Sequence, residues 1–544
     1  MIRRRHLRLL ALCAVAAFPC LAAAHHTEPA LWLNPLGGAF EDTTNWSVGI
    51  VPSMHDSVYF DLANPVYTTT FASSVQNVQL IVGGNDVTFD LLGSTYTVYD
   101  LAGIDVGHAS PIPAIFRIRN GTVTSIVGAS VGRTFSSMGI LSLDGPSAGL
   151  TIAMDLLAGQ RGNATIDIGN GAKLSDHNAY MATLNGSKSV VTISGADSRW
   201  DNTELHVGGT LVSSGELRIH GGTVSATSFI KIWRSGKIIY DGGQIDTPQL
   251  EIEGGTFSAL GTFTPNFINR GGSIDVPSGQ TLSLTGGLLS PNSDTLIKKG
   301  AGELVINGPQ DHTPFSGLRV SAGKLVMNTN AGTAATATTS AIANLSLSLD
   351  PVAVAVTLNA DQNLAKITVN ESASEQQALD LASPADAGAF RSVRIADITT
   401  KADVWASIAN ANRPGAADPN DGIFDSGLTF HPGSAIGLAT QLDEHGDPYL
   451  LIRPTRLGDL NLDGVVTISD IIDLASNFGS TTGTWQEGDL NYDGQVTISD
   501  FIDAAANFGS SYSAAAEAQI PNVPEPASLG LIFPVLMMAR RRRK

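Results

Sequence analysis

Asn163-Ala164-Thr165-Ile166-Asp167-Ile168-Gly169 and Ser189-Val190-Val191-Thr192-Ile193-Ser194-Gly195 read as two copies of one strand. The pattern returns at Gly215-Glu216-Leu217-Arg218-Ile219-His220-Gly221 and at Gly236-Lys237-Ile238-Ile239-Tyr240-Asp241-Gly242. Apolar and polar residues alternate, which is the period of a half-buried strand, and glycine with asparagine or aspartate marks the corners. Lining up Ile166, Ile193 and Ile219 gives steps of 27 and 26 residues. Gly-Gly pairs beginning at Gly221, Gly242, Gly254 and Gly271 continue at steps of 21, 12 and 17. A loose period in the twenties without helical segments is the mark of a solenoid. The expected fold is mainly β, a parallel β-helix whose stacked coils bury one continuous apolar column.

The same composition, rich in glycine, serine, threonine and asparagine and poor in charge, extends over 32–330, so the solenoid is assigned to 25–330. Thr44-Asn45-Trp46-Ser47, followed by Val51-Pro52 and Asp56-Ser57-Val58-Tyr59-Phe60, resembles the opening coil of large bacterial surface β-solenoids. That resemblance implies that Trp32 and Trp46 cap the open end. Leu296-Ile297-Lys298-Lys299-Gly300-Ala301-Gly302-Glu303-Leu304-Val305-Ile306 resembles the autotransporter-associated β-strand repeat. The stretch 187–225, centred on Gly195-Ala196-Asp197-Ser198-Arg199-Trp200, is similar to a repeat shared by autotransporter and PEP-CTERM surface proteins. An alanine- and threonine-rich passage at 331–341 marks an expected boundary. Beyond it Leu345, Leu347 and Leu349 alternate, as do Val352, Val354 and Val356, and 331–455 is expected to form a β-rich capping domain. One helix is expected over 402–411, using Val404, Trp405 and Ile408. The segment 391–456 resembles the one that precedes dockerin-like repeats in planctomycete surface proteins.

A doubled motif follows. Gly458-Asp459-Leu460-Asn461-Leu462-Asp463-Gly464 returns thirty residues later as Gly488-Asp489-Leu490-Asn491-Tyr492-Asp493-Gly494. Counted from the first aspartate, side-chain oxygens fall at loop positions 1, 3, 5, 9 and 12, with glycine at 6, which is how a twelve-residue loop wraps calcium. The expected ligands are Asp459, Asn461, Asp463, Thr467 and Asp470, with Val465 offering its carbonyl. The second set is Asp489, Asn491, Asp493, Thr497 and Asp500, with the carbonyl of Gln495. Two Ca²⁺ ions are therefore the expected cofactor. Asp-x-Asn-x-Asp-Gly is also a good Asx-turn, and that reading stays open. Ile468, Ile471, Ile472, Ala475 and Phe478 recur at helical spacing after the first loop, as do Ile498, Phe501, Ile502, Ala505 and Phe508 after the second. No such pattern precedes either loop. Each unit is a loop with only its exiting helix, a paired half EF-hand, and 456–512 resembles the type I dockerin module. The resemblance implies a cohesin-like partner, contacted through loop positions 10 and 11, here Ile468-Ser469 and Ile498-Ser499. Near-duplicate halves would permit two binding orientations. At helical spacing the two isoleucines can equally be core. Asp at position 12 is one methylene shorter than the usual Glu, which points to weak sites of the ~10⁻⁴–10⁻³ M class that still fill where calcium is near millimolar. Calcium would then be a folding condition for the module.

The chain ends carry addresses. Arg3, Arg4, Arg5 and Arg8, an apolar run and Ala22-Ala23-Ala24 read as a secretory signal over 1–24. Residues 513–522 form a small-residue linker. At 523–544, Pro524-Glu525-Pro526, an apolar stretch and Arg540-Arg541-Arg542-Arg543-Lys544 resemble the PEP-CTERM sorting signal, which implies processing by an exosortase-type enzyme. The expected location is exported, at the cell surface or in the extracellular matrix, with transient anchoring by the tail. Both cysteines, Cys13 and Cys20, lie within the signal. Removing the nine basic residues of the two ends from 32 leaves 23 against 50 acidic, a net charge of −27. That argues against nucleic acid, whose binding needs a basic surface.

Other chemistry is sparse. Gly128-Ala129-Ser130-Val131-Gly132 matches the hydrolase pattern G-x-S-x-G, which requires a strand–turn–helix elbow. Its neighbours place it at a solenoid corner instead. Lys231, Arg234, Lys237 and Asp241 are the best candidate cluster for polysaccharide chemistry, with no carboxylate pair beside them. The leading expectation is a non-catalytic surface or matrix protein with a calcium-dependent docking module. A dockerin-bearing polysaccharide hydrolase or lyase and a carbohydrate-binding adhesin are the alternatives.

Overall fold

The computed structural model describes residues 29–511 apart from 63–64, 101–102, 109–111, 210–211, 372–373, 385–389, 417–420 and 431–432. The expected signal (1–24), linker (513–522) and sorting signal with Pro524, Glu525 and Pro526 lie outside the described residues. The chain is mainly β, with 49% strand and 9% helix, and forms a parallel β-solenoid of about 14 turns. A typical coil has three strands, Asn163–Gly169, Lys173–Ser175 and Asn178–Met181, and each stacks in parallel on its counterparts in the coils before and after. Alternation puts every second side chain inside. One inward column runs Phe116, Leu141, Ile166, Val191, Leu217, Ile238, Phe257 and Ile274, all buried.

The register differs by two residues from the alignment of Ile166 with Ile193, whereas Ile193 pairs with Ile219 as aligned. Ile166 pairs with Val191, and Ile193 stacks on Ile168. With a side-chain period of two, this two-residue slip changes which residues share a row of the column but leaves the same face inward. Both residues still point inward, so the pattern alone could not distinguish the registers.

The first coil is closed by an aromatic cluster. Trp32 and Trp46 are almost fully buried, edge to face at 5.1 Å, and Phe60 and Tyr67 stack on Trp32. Their indole N–H groups donate to Asn34 O at 2.7 Å and Phe40 O at 2.8 Å, so the burial leaves no orphan donor.

The parallel ladder does not stop at 331. Leu345–Leu349 stacks on Ser316–Val320, Val354–Leu358 on Gly323–Met327, and Gln377–Asp380 on Val354–Leu358. The alanine- and threonine-rich passage is an insertion in the solenoid, because the strands on either side of it still pair directly. The part of 331–455 that leaves this parallel ladder is small. It is an antiparallel hairpin, Ser434–Leu442 with Pro448–Arg456, joined through Val393–Ile395 to Gln362–Leu364. Helix α1 (Lys401–Asn412) covers this end and buries Val404, Trp405 and Ile408. Among the described residues, no helix is long and apolar enough to cross a membrane.

Candidate metal centre and docking face

The doubled loops lie against the antiparallel hairpin of Ser434–Leu442 and Pro448–Arg456. Each leads into one helix, α2 (Ile468–Ser476) or α3 (Ile498–Ala506). Thr467 and Thr497 are the N-caps, and Asp470 and Asp500 complete capping boxes with them. Position 4 of each loop takes a left-handed backbone (Leu462 φ 58°, Tyr492 φ 62°), and so does the glycine at position 6 (Gly464 φ 96°, Gly494 φ 83°). Only glycine holds the latter without strain.

The structure brings positions 1, 3 and 5 together. Asp463 N donates to Asp459 Oδ1 at 3.1 Å and to Asn461 Oδ1 at 2.9 Å, and Gly464 N donates to Asp459 Oδ2 at 3.0 Å. The second loop repeats the contacts around Asp489, Asn491 and Asp493. Val465 N and Gln495 N each donate to the position-5 carboxylate at 2.9 Å. Positions 9 and 12 are committed elsewhere. Asp470 accepts from Leu460 N, Asn461 N, Thr467 N and Thr467 Oγ1, and Asp500 has the same four kinds of donor. In this arrangement Thr467, Thr497, Asp470 and Asp500 cap helices and tie each loop to its own start. Among the described residues, no group of three or more His, Cys, Asp or Glu is assembled to hold a metal ion.

The donor set nevertheless suits a hard cation. Burial, then the neighbouring Asp463 and Asp470 charges, push the Asp459 carboxyl up to about 6. Burial, then Asp500 and Asp493, push Asp489 to about 6. Among the described residues, no lysine or arginine makes an ion pair with these loop carboxylates. Clustered, uncompensated carboxylates with amide oxygens beside them are the chemistry that calcium accepts.

The two halves hold each other. Gly479 N donates to Val496 O and Val496 N to Ser480 O; Gly509 N donates to Val466 O and Val466 N to Ser510 O. The start of each helix is thereby paired with the end of the other. Trp485 is buried and donates to Asp459 O at 2.8 Å, and Tyr492 Oη exchanges hydrogen bonds with Ile436 N and O on the hairpin. Gly437 permits this seat: a Cβ there would lie 2.2 Å from Leu462 Cδ2. Lys401 of α1 pairs with Glu487 at 3.1 Å.

The helices have an inner and an outer apolar face. Leu474 and Ala504 are fully buried, and Ile471 and Phe501 are half-buried. Ile468 and Ile498 are 61% and 62% exposed, which removes the reading of them as core. Ser469 and Ser499 are exposed beside them. Sequence reading missed that Ile472, Ile502, Phe478 and Phe508 are also exposed, at 56–60%. The available signal was that Ile471 and Ile472 are adjacent, so one helix carries apolar residues over more arc than one packing neighbour covers.

The remaining candidates resolve as follows. Ala129–Val131 is a central strand of the parallel sheet, so Ser130 has no elbow; its Oγ donates to Asp105 Oδ1 at 3.1 Å. Asp105 also holds His108 Nδ1 at 2.7 Å, which places the carboxylate between serine and imidazole, the wrong order for activating a nucleophile. Lys231 pairs with Glu253 at 2.6 Å and lies 3.9 Å from the centre of the Trp233 ring, while Asp241 bonds His220 at 2.7 Å. The cluster read from sequence is therefore divided between different partners. Arg234 instead lines a 460 Å³ cavity with Trp233, Glu253, Arg270 and Asp294.

No known family model, curated protein or solved structure matches this chain.

Proposed function

We propose that the protein is a non-catalytic, exported surface or matrix protein whose solenoid is a rigid spacer and whose paired-loop module docks a protein partner in a calcium-dependent way. The observation that carries this reading is the doubled outer stripe, Ile468 with Ile472 and Ile498 with Ile502, left open on two nine-residue helices. Exposed apolar side chains repeated on equivalent elements mark an interaction surface better than scattered ones do. Calcium would be held by Asp459, Asn461 and Asp463 and by Asp489, Asn491 and Asp493, with the Val465 and Gln495 carbonyls. Asp470 and Asp500 would join only by exchanging hydrogen bonds they already accept. The ion supplies positive charge that offsets the clustered carboxylates and fixes the loops from which the helices start. A cohesin-like domain is the expected partner class, read through Ile468, Ser469, Ile498 and Ser499, and an exosortase-type enzyme would act on the tail.

Titration of the full chain with calcium, followed by capture of a cohesin-type domain, tests the proposal. About two ions bound, with capture lost on chelation and in an Ile468→Ser, Ile498→Ser variant, is the expected result. Failure to bind calcium sinks the docking reading. The alternative of polysaccharide chemistry draws on the cavity beside Trp233 and Arg234. Turnover of an acidic glycan that is lost on Lys231→Ala or Arg234→Ala would favour it.

A further inference from the structure

We propose that a groove along one corner of the solenoid, between Trp233 and Asp294, binds an extended neutral polysaccharide chain. The inference is independent of the paired-loop module and gives the solenoid a ligand of its own.

Connection lengths create the groove. At the corner between the third strand of one coil and the first of the next, six residues follow Met181. Only two follow each of Trp233, Glu253 and Asn269, and four follow Ser290. The three short corners thus lie between longer ones. Gly254 and Gly271 turn two of them at φ 82°, so the floor carries no side chain at these points. The result is a 460 Å³ cavity lined by residues of five successive coils, from Gly209 to Asp294. At ~4.8 Å between stacked strands it runs roughly 19 Å along the axis, which suits a chain better than a single small molecule.

The walls can bond hydroxyl groups. Among the described residues, neither the Arg234 guanidinium nor the Asp294 carboxylate has an ion pair or hydrogen bond. Arg270 uses only Nε on Glu251, at 3.2 Å, and Glu253 gives one oxygen to Lys231, at 2.6 Å. Open guanidinium donors and open carboxylate oxygens along one groove match hydroxyls, which both donate and accept. Trp233 adds apolar surface, and its ring is fixed. Its Nε1 donates to His206 Nδ1 at 3.2 Å, and His206 stacks on Tyr180 at 4.8 Å. Burial pushes the His206 imidazole down, so the ring is neutral and Nδ1 can accept. A side chain already held loses little freedom on binding.

Charge and backbone exclude other chain-like ligands. Lys231, Arg234 and Arg270 are balanced by Glu251, Glu253 and Asp294, and the whole chain carries −18, so a polyanion gains no net attraction. That removes nucleic acid and uronate polymers. Gln249–Glu253 is paired on both sides, so a peptide finds no open strand edge to extend. Donors and acceptors in equal number beside an indole fit an uncharged, hydroxyl-rich chain.

Affinity electrophoresis of the full chain tests this, in native gels containing mixed-linkage β-glucan, galactomannan or xyloglucan, with polygalacturonate as the acidic probe. Retardation by at least one neutral polymer is expected. Arg234→Ala should weaken it about tenfold, the loss of one charged hydrogen-bonding group, and Asp294→Ala should act likewise. Arg234 is exposed and Asp294 half-buried, so both variants should melt as the parent does. Retardation by polygalacturonate alone, by none of the polymers, or unaltered in the double variant overturns the proposal. Retardation that survives chelation and the Ile468→Ser, Ile498→Ser changes separates this site from the docking face. Retardation lost with those changes assigns the polymer to the module and overturns the proposal.

Discussion

The solenoid and the paired-loop module treat apolar residues in opposite ways. Along the solenoid each coil covers the edge of the one before, so the inward column is sealed from Phe116 to Ile274. Even a charge is accommodated there. Lys298 follows Ile274 in the column, fully buried, and its Nζ donates to Lys299 O, Gly300 O and Ala322 O at 2.7–3.0 Å. Burial pushes that ammonium down to about 8, and the three carbonyls use all of its donors. Among the described residues, the module has one helix per half and nothing stacked beyond it, and six large apolar side chains are 56–62% exposed. Stacking repeats cover their own apolar faces, whereas each half of the doubled motif leaves an apolar stripe exposed.

The largest expected effect breaks the sealed side. Phe257 is in the inward column, with Phe263 at 5.1 Å and Phe267 at 6.0 Å. Phe257→Ala should cost ~3–5 kcal/mol through lost burial and the cavity left behind. Thermal unfolding followed by circular dichroism at a β wavelength measures it. A loss under ~1 kcal/mol would mean that the column does not carry the stability assigned to it.

Asp176 sharpens the comparison from inside the solenoid. It is buried, accepts from Trp200 Nε1 at 2.7 Å, and is pushed up to about 7, chiefly by burial. Its ordinary value is 3.8, so the folded chain keeps a proton that the unfolded chain has released between the two values. The stabilisation is complete below about pH 4 and is lost as pH rises through 7, by a few kcal/mol at most. Melting at pH 5 and pH 8 should show the higher midpoint at pH 5, and Asp176→Asn should flatten the difference. An unchanged slope in Asp176→Asn would assign it to other groups.

Calcium removal should act on the other region alone. Ligand at ten to a hundred times Kd stabilises by about 1.4–2.7 kcal/mol per site. Chelation should therefore lower the module's transition, read from the buried Trp485 (Trp485→Phe identifies its signal), and leave the β signal of the solenoid in place. A β transition that falls equally would show the two regions to be one cooperative unit.

Legibility followed the same division. Alternation and glycine corners made the solenoid readable, because a strand half-buried by its neighbours must alternate wherever the coil begins. They left the register open, since Ile166 on Val191 and Ile166 on Ile193 both keep apolar residues inward. The composition change at 331–341 suggested a boundary, but pairing of Leu345–Leu349 with Ser316–Val320 is non-local and leaves no mark in the intervening residues. In the loops, spacing located the aspartates but could not tell a ligand from a cap. Thr467 and Asp470 stand three apart, which serves a capping box and a calcium loop alike. Helical spacing likewise placed Ile468 and Ile472 on an apolar face without stating what covers it.

The smallest effect on stability bears most directly on that last point. Leu474 and Ile472 are two residues apart on one helix, the first fully buried and the second 59% exposed. Leu474→Ala should cost ~2–4 kcal/mol as a core truncation. Ile472→Ser should stay within ~0.5 kcal/mol, because the side chain is already in water and its loss opens no cavity. If the outer stripe serves docking, Ile472→Ser together with Ile502→Ser weakens capture of a cohesin-type domain while the melting curve is unchanged. If Ile472→Ser instead destabilises the full chain by more than ~1 kcal/mol, the outer stripe belongs to the module's own packing and the docking reading fails.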